Sequence, residues 1–220
     1  MAHSSGQHLN LWRQRLGHVP DWVWDQTDIE TLVLADNDLA ELSERIGNLA
    51  RLRMLDLGHN QLTHLPESLG AIDGLTDFLY LHNNRLTTLP GSLARLTRLR
   101  YLNISENAFE ALPECVTEMV NLFELRASDN RLAVLPPSIA RLRQLRELHV
   151  RNNSLTTLPE TIGAMRELRQ IDLRGNPLAE LPAGICLLPR LDKLDVRWVE
   201  TLTLPAWIGT LEARGCAVYY

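Results

Sequence analysis

The sequence has little lysine and little cysteine, and it contains no long apolar run. Its 22 basic residues are 21 arginines and a single lysine, Lys193. This bias is typical of a GC-rich bacterial genome, but it also leaves few acceptors for lysine-directed modification. The three cysteines lie far apart and form no CxxC pair, which argues against a disulfide framework. A reducing compartment is therefore favoured over an extracellular one.

The charge balance and the lack of apolar segments exclude two further classes of protein. The 220-residue chain has a net charge of −5 and an isoelectric point near 5.8, which argues against nonspecific binding to nucleic-acid phosphates. No apolar run approaches the roughly 18 residues of a membrane helix. Residues 1–8 lack the apolar core of a signal peptide. We therefore expect neither a nucleic-acid nor a membrane partner.

Leucine is in excess, and it recurs in register with asparagine and proline. The chain has 44 leucines among 220 residues. Asparagines recur in steps of 23 residues, with one step of 24, at Asn37, Asn60, Asn84, Asn107, Asn130, Asn153 and Asn176. Each of these asparagines except Asn37 is followed, six residues later, by the proline of a Leu-Pro pair. These prolines are Pro66, Pro90, Pro113, Pro136, Pro159 and Pro182. A register kept over about eight cycles indicates a tandem repeat.

Each cycle combines two periods. In one representative cycle, Leu148 and Val150 alternate with period two and predict a short strand. The following Leu158-Pro159 and Ile162 predict a turn of helix or 3₁₀ helix on the opposite side, because proline suits the start of such a segment. A single cycle cannot bury its apolar edge, so the cycles must stack into a solenoid with a continuous leucine core.

The unit L-x-x-L-x-L-x-x-N-x-L-x-x-L-P-x-x-I-x-x-L-x-x resembles that of leucine-rich repeat proteins. Its 23-residue Leu-Pro form is similar to that of the intracellular class, which includes plant Ras-group-related proteins and bacterial counterparts. The resemblance implies an α/β solenoid, a horseshoe with a parallel β-sheet on the concave face and 3₁₀ or short helical segments on the convex face. It also implies that the asparagine side chains form a ladder that bonds the backbone of adjacent cycles.

Both ends depart from the repeat and predict caps over the core. We expect an N-terminal cap with a partial repeat at residues 1–28, about eight repeats at residues 29–211 and a C-terminal cap at residues 212–220. The apolar spacing from Leu9 to Leu16 predicts a helix in the first cap. Its tryptophans are interpreted as cap residues rather than as a ligand site: Trp12, Trp22 and Trp24. The residues expected to close the other end are Trp207, Ile208, Val218, Tyr219 and Tyr220.

The positions between the strand leucines face solvent on the concave side, where a function would reside. One cluster of them, the aromatic patch, comprises Met54, Phe78, Tyr80 and Tyr101 together with His59 and His82. Aromatic residues and methionine are enriched at the cores of protein interfaces, so the patch predicts a hot spot for a partner protein. The alternative is that these residues only cover the sheet. Eight strands about 4.8 Å apart offer room for an interface of about 800 Å² per partner.

A second cluster, the arginine columns, lies nearer the C-terminal end of the concave surface. It comprises Arg126, Arg151, Arg174 and Arg197, interleaved with Glu124, Glu147, Asp172 and Asp195. These residues form either a self-satisfied lattice of salt bridges, each contributing about 0–1 kcal/mol, or a mixed-charge rim that selects the partner. His149 lies within the cluster as a further candidate contact. Trp198 at its far end is either an anchor for the partner or part of the cap.

The single 24-residue step places one extra residue between Leu75 and Leu86. Counting back from Asn84 directs Phe78 and Tyr80 outwards, whereas counting forward from Leu75 directs Phe78 inwards. We expect a β-bulge or a loop insertion that turns both aromatic side chains towards the concave surface. Burial of both side chains would contradict this expectation.

The sequence contains no phosphate-binding GxxxxGK[ST] loop, no GxGxxG after a strand, no HExxH and no GxSxG. His59 and His82, on neighbouring predicted strands, lack an evident third metal ligand. Cys115 follows a Leu-Pro pair and is interpreted as a small apolar filler. We therefore predict no catalytic residue, no cofactor and no metal ion.

The sequence thus predicts a non-enzymatic protein-interaction module that binds a partner protein on its concave surface, with signal transduction as its setting. The alternative is the recognition part of a bacterial effector, or of a ubiquitin-ligase or kinase system. We expect a cytoplasmic protein or, alternatively, a secreted effector that acts in a host cytosol. A monomer is expected, and a homodimer is the alternative.

Overall fold

A parallel sheet of ten short strands runs the length of the chain in the computed structural model, which describes residues 7–220. The strands are β1 (His8–Asn10), β2 (Thr31–Val33), β3 (Met54–Asp56), β4 (Phe78–Tyr80), β5 (Tyr101–Asn103), β6 (Glu124–Arg126), β7 (Glu147–His149), β8 (Gln170–Asp172), β9 (Lys193–Asp195) and β10 (Ala217–Tyr219). Each strand pairs with the next along the chain, so the order in the sheet is the order in the sequence. Every cycle therefore advances the chain by one strand.

Between strands the chain returns through short helical segments. Seven returns contain a five-residue 3₁₀ segment, at Asp21–Asp25, Glu44–Asn48, Glu67–Ala71, Gly91–Arg95, Pro137–Arg141, Glu160–Ala164 and Ala183–Leu187. The other two returns contain the α-helices α1 (Glu114–Thr117) and α2 (Ile208–Ala213). The predicted solenoid with a parallel sheet and short 3₁₀ or helical returns is confirmed. Within residues 7–220, no helix has both the length and the hydropathy that crossing a membrane requires.

Leucine and proline account for this alternation. The middle residue of each strand from β2 to β9 is a leucine or isoleucine with 0–1% exposure, as for Leu55 and Ile171. These side chains belong to one continuous core along the solenoid, while their strand neighbours point to the opposite side of the sheet. Pro66, at φ −72° and ψ 148°, directly precedes a 3₁₀ segment. Its fixed φ and missing N–H suit a position where no backbone donor is needed.

The predicted asparagine ladder is present in the turns that directly follow the strands. Asn60 shows the pattern: its Oδ1 accepts hydrogen bonds from the backbone N–H groups of Asn37 (3.1 Å) and Leu39 (3.0 Å). Its Nδ2 donates to the carbonyl oxygens of Leu34 (3.1 Å) and Leu57 (2.9 Å). The side chain therefore joins its own repeat to the preceding one and satisfies buried backbone groups that the strands leave unpaired.

The 24-residue repeat holds its extra residue in the loop before β4. That loop has six residues, 72–77, whereas the loop before β3 has five, 49–53. β4 nevertheless stays in register with β3, with Phe78 opposite Met54. Of the two expected arrangements, the loop insertion is therefore the one observed. Phe78 is 42% exposed and Tyr80 is half-buried, so the expected outward direction of both side chains is confirmed.

The predicted helix between Leu9 and Leu16 is wrong. Residues 8–10 form β1, which pairs with β2, and no helix follows before residue 21. Leu9 and Leu11 are buried on alternate positions, which is the period of a strand. A helix of about eight residues is marginal in isolation, whereas pairing with the edge of an existing sheet satisfies the backbone at once.

The three N-terminal tryptophans do not share one environment. Trp24 is only 2% exposed and lies in the core, whereas Trp12 and Trp22 are exposed. A residue that caps the core should be buried, and of the three tryptophans only Trp24 is. The assignment of these residues to a cap stays a prediction. Residues 1–6, on which the expected lack of a signal peptide partly rests, lie outside the described residues.

At the C-terminal end the core is closed mainly by α2 and the segment that follows it. The buried side chains there are Ile208, Leu211 and Cys216. Trp207 and Val218 are partly buried and pack against the core as expected. Tyr219 and Tyr220 are exposed, so their predicted role in closing the core is wrong. Tyr219 alternates with Val218 in β10 and therefore points to the opposite side of the sheet.

Candidate functional site

The sheet brings the predicted aromatic patch together on its solvent side. Parallel pairing places Met54, Phe78 and Tyr101 opposite one another on β3, β4 and β5. The ring centroids of Tyr80 and Tyr101 are 5.0 Å apart, those of Phe78 and Tyr101 are 5.6 Å apart, and those of Phe78 and Tyr80 are 6.0 Å apart. These separations lie within the range of favourable aromatic pairs. The result is one contiguous patch of partly exposed rings.

Two histidines extend the patch on the side where the strands end. The ring of His82 lies 4.8 Å from that of His59 and 6.2 Å from that of Tyr80. A Cβ on Gly58 would be 2.3 Å from Cε1 of His82, so the absence of a side chain at Gly58 makes room for the imidazole. Burial, and then the neighbouring His59, lower the pKa of His82. The His82 imidazole is therefore neutral at pH 7.

The tyrosines of the patch are also uncharged. Burial raises the pKa of Tyr101 to about 12, and it raises the pKa of Tyr80 above its usual value. Both hydroxyl groups keep their protons at neutral pH and can donate hydrogen bonds. The patch therefore offers apolar ring surface with polar edges, the combination that favours tyrosine at protein interfaces.

The arginine columns form close ion pairs within the sheet. Arg174 donates from Nε and Nη2 to the two carboxylate oxygens of Asp172 at 2.8 and 2.6 Å. Arg197 binds Asp195 in the same manner at 2.9 and 2.8 Å. Burial alone would raise the pKa of Asp172 and of Asp195, but the hydrogen bonds from Arg174 and Arg197 outweigh it and lower both pKa values. Both carboxylates are ionised at neutral pH.

The remaining members of the columns continue this lattice. Nε of Arg126 lies 2.5 Å from Oε1 of Glu124, and Nε of Arg151 lies 3.5 Å from Oδ2 of Asp129. The predicted self-satisfied lattice is therefore present. Asp129, which pairs with Arg151, is not among the acidic residues that the sequence analysis singled out. Because a pair such as Arg151–Asp129 is substantially exposed, the lattice itself does not decide whether these groups also contact a partner.

His149 lies within a group of metal-ligating side chains that the sequence did not reveal. Its Nε2 is 3.1 Å from Oε2 of Glu147 and 3.8 Å from Oε1 of Glu124. One potential ligand atom from each residue lies within 4.8 Å of the others. Oε1 of Glu124 already accepts a hydrogen bond from Arg126, however. A cation at this place would have to displace that guanidinium, so we assign no metal to it.

Trp198 has an unusual backbone for its residue type. It is 69% exposed with φ at +59°, in the left-handed region. Most other repeats place a small or polar residue at the same position with positive φ: Asp36, His59, Asn83, Glu106, Asp129, Asn152 and Gly175. Left-handed backbone costs about 1–2 kcal/mol for a residue with a Cβ. The Trp198 ring lies 5.6 Å from the guanidinium carbons of both Arg174 and Arg197.

A polar hollow of about 280 Å³ lies among the arginine columns. Arg126, His149, Arg151 and Arg174 line it, as predicted members of the site. Asn103 and Lys193, which the sequence interpretation did not single out, line it as well. Asn103 is the last residue of β5 and Lys193 is the first residue of β9. The first and last residues of each strand point to the concave side, so the repeat register could have identified both residues.

Cys115 is 8% exposed and belongs to the leucine core, as expected of an apolar filler. Burial raises the pKa of its thiol to about 11. The thiol is therefore protonated at neutral pH and unreactive as a nucleophile.

The repeat register, the parallel sheet and the asparagine ladder together define a leucine-rich repeat solenoid. A family model described as leucine rich repeat matches residues 27–86 and 77–132, and one described as leucine-rich repeat region matches residues 138–213. The chain belongs to the leucine-rich repeat family. Its 23-residue Leu-Pro unit is of the intracellular type.

Curated relatives match only part of this chain. Vasorin of Mus musculus is 36% identical over 85 residues, which are 38% of this chain and 13% of vasorin. The volume-regulated anion channel subunit LRRC8A of Homo sapiens is 35% identical over 95 residues, 42% of this chain and 12% of that protein. Plant intracellular Ras-group-related LRR protein 8 of Arabidopsis thaliana is 37% identical over 77 residues, 35% of this chain and 20% of the relative.

Solved structures match nearly the whole chain. The leucine-rich repeat domain of the type III effector XopL superimposes with a TM-score of 0.83 at 26% identity, covering 99% of this chain and 77% of that one. The plant peptide hormone receptor RGFR1, solved in complex with RGF2, gives a TM-score of 0.76 at 28% identity and covers 90% of this chain and 35% of the receptor. The family's fold is a scaffold for protein–protein interaction.

Proposed function

We propose that the chain is a non-enzymatic module that binds a partner protein on its concave surface, with the aromatic patch as the anchor. The observation that carries this proposal is the contact among Phe78, Tyr80 and Tyr101, whose ring centroids are 5.0–6.0 Å apart on the solvent side of the sheet. The rings leave apolar surface in contact with water. Covering such a surface with a partner is favourable at roughly 25 cal/mol per Å².

The electrostatics of the neighbouring surface support the same role. Tyr80, Tyr101 and His82 of the patch are uncharged at neutral pH, whereas the arginine columns beside the patch carry charges of both signs. An apolar centre with a polar surround is the usual anatomy of a protein interface. The columns supply a rim that sets the partner and the association rate, and the exposed Trp198 supplies a second anchor at the end of the rim.

The proposed module and its partner act in a cytosol, as a step in signal transduction. The module binds its partner as a monomer. A second candidate function is the recognition part of an effector system that acts in a host cytosol. The similarity to the repeat domain of the type III effector XopL, over 99% of this chain, favours this candidate.

Replacing Tyr80 and Tyr101 with alanine tests the concave anchor. We expect the double variant Tyr80→Ala/Tyr101→Ala to bind its partner much more weakly, because hot-spot residues contribute about 2 kcal/mol or more each to binding. Its melting temperature should change little. The measurement is affinity capture from bacterial and plant lysates with identification by mass spectrometry, followed by the affinity for the purified partner.

The matched control is Tyr220→Ala, which removes an exposed tyrosine outside the patch. Unaltered affinity of the double variant would remove the aromatic patch as the anchor. Retention of a host protein by the wild type, together with its ubiquitination or phosphorylation in a reconstituted assay, would favour the effector candidate over the first one.

A further inference from the structure

Phe123 breaks a column of charged residues on one edge of the sheet. The residue directly before each strand from β2 to β9 is Glu30, Arg53, Asp77, Arg100, Phe123, Arg146, Arg169 and Asp192. Because the strands are parallel, these residues lie along the same edge of the sheet, at the end where the strands begin. The Phe123 N–H donates to the Arg100 carbonyl and the Arg146 N–H donates to the Phe123 carbonyl, both at 2.8 Å. The half-exposed ring therefore lies directly between two arginines.

Both arginines lie over the Phe123 ring. The guanidinium carbon of Arg146 is 4.8 Å from the ring centroid and that of Arg100 is 5.6 Å from it. Neither guanidinium makes an ion pair or a side-chain hydrogen bond with any residue of the described range 7–220. In the same column, Arg53 and Arg169 pair with Asp77 and Asp192 at 3.1 and 3.3 Å. Arg100 and Arg146 thus keep their donors free while the ring restricts their motion.

A hollow of about 320 Å³ opens beside this stack. It is lined by Arg98, Arg100, Phe123 and Asn121, and by the Arg53–Asp77 ion pair. Nη2 of Arg98 donates a hydrogen bond to the backbone carbonyl of Asp73, which fixes the orientation of the Arg98 guanidinium. The one carboxylate of the hollow is neutralised by Arg53. The hollow therefore carries two positive charges in excess, in a chain whose net charge is −5.

We propose that this hollow, with Arg98 and Arg100 as donors, binds a phosphorylated serine or threonine side chain of a partner protein. A phosphorylated side chain carries about −1.5 to −2 charges and three strong acceptor oxygens, which matches the excess charge. Guanidinium groups bind phosphate through paired N–H donors. A membrane headgroup is disfavoured, because membrane association through charge requires larger basic clusters and this chain is acidic overall. The hollow lies off the concave surface and is independent of the function proposed above.

Titration of the ¹⁵N-labelled chain with a short phosphopeptide tests the proposal. The probe is the peptide Gly-Gly-Ser-Gly-Gly phosphorylated on its serine, and the arms are the unphosphorylated peptide, inorganic phosphate and vesicles that contain anionic lipid. We expect saturable shifts of the arginine Nε–H signals with the phosphopeptide, and at least tenfold weaker binding of the unphosphorylated peptide and of inorganic phosphate. Arg98→Gln and Arg100→Gln should each weaken binding about tenfold.

Two controls keep the result interpretable. Arg169→Gln removes an arginine of the same column that is already paired with Asp192, and it should bind the phosphopeptide as the wild type does. The Tyr80→Ala/Tyr101→Ala variant should also bind it unchanged, which separates this site from the concave anchor. Equal binding of both peptides, an equal effect of Arg169→Gln, equally tight binding of inorganic phosphate, or a response to vesicles alone would each overturn the proposal.

Discussion

At the scale of a residue, one buried amide joins two repeats. Asn60 satisfies backbone groups on both sides of a repeat boundary with donor and acceptor at once. Serine has only one O–H donor, and an ionised aspartate only accepts hydrogen bonds. Neither could supply both an acceptor and two N–H donors. This requirement explains why the asparagine recurs while its neighbours vary.

Removal of this amide should destabilise the fold. We expect Asn60→Ala to lower the free energy of unfolding by about 1–3 kcal/mol, because the N–H groups of Asn37 and Leu39 lose their acceptor. The exposed Asn48 of the preceding repeat provides the control, and Asn48→Ala should stay within about 0.5 kcal/mol of the wild type. Urea denaturation followed by circular dichroism measures both. Equal stability of the two variants would contradict the role given to the ladder.

Residues on the concave surface could be predicted from the repeat register alone. Once the register is known, the period of a strand assigns Phe78 and Tyr80 to the solvent side. The Arg100–Phe123–Arg146 stack could not be predicted, since charged residues before a strand are typical of a solvated edge. Only the arrangement of the side chains shows that Arg100 and Arg146 lack carboxylate partners in the described range.

At the scale of the element, the return segments are joined by their own hydrogen bonds. Oε2 of Glu44 accepts a hydrogen bond from the N–H of Ser68 at 3.0 Å, and Oε2 of Glu67 accepts one from the N–H of Ser92 at 3.0 Å. The side chain and then the backbone N–H of Ser68 lower the pKa of Glu44, and those of Ser92 lower the pKa of Glu67. The first glutamate of one 3₁₀ segment thus caps the segment of the next repeat.

Close stacking of these segments leaves no room for some side chains. A Cβ on Gly70 would lie 2.3 Å from the backbone of Ser92, whereas a Cβ on Gly91 would meet nothing within 4 Å. We expect Gly70→Ala to cost about 1–3 kcal/mol of stability and Gly91→Ala to be neutral or to stabilise by up to about 1 kcal/mol. Thermal unfolding of the two variants provides the comparison. A Gly70→Ala variant as stable as Gly91→Ala would show that the segments separate easily.

The elements of the repeats were more predictable than those of the ends. Within the repeats, many copies of one pattern fix the strand and the return. At the N-terminal end a single copy of an apolar spacing was compatible with both a helix and a strand. The available sheet edge decided the outcome for Leu9 and Leu11 in favour of β1, and such a long-range pairing leaves no local signal.

At the scale of the whole molecule, each repeat contacts only its neighbours. Stability in such an array is close to a sum of local and nearest-neighbour contributions. A defect at one end should therefore loosen that end before it affects the other. Trp24 is buried in the core at this end, in the first return segment, Asp21–Asp25.

We expect Trp24→Ala to destabilise the N-terminal end by about 3–5 kcal/mol. Amide hydrogen exchange should accelerate in β2 and β3 and stay unchanged in β8 and β9. Trp22→Ala removes an exposed tryptophan two residues away and should change neither region. Uniform acceleration along the chain in Trp24→Ala would mean that the solenoid unfolds as one cooperative unit.

The extra residue before β4 has a consequence for how such an array evolves. Unequal recombination between repeats seldom preserves the length of every copy. A surplus residue in this loop leaves the strand register and the buried leucines unchanged, whereas one within a strand would turn the buried side chain of that strand towards water. Copies of 23 and 24 residues can therefore be exchanged, and new concave residues such as Phe78 and Tyr80 can be acquired by duplication without a matching change elsewhere in the chain.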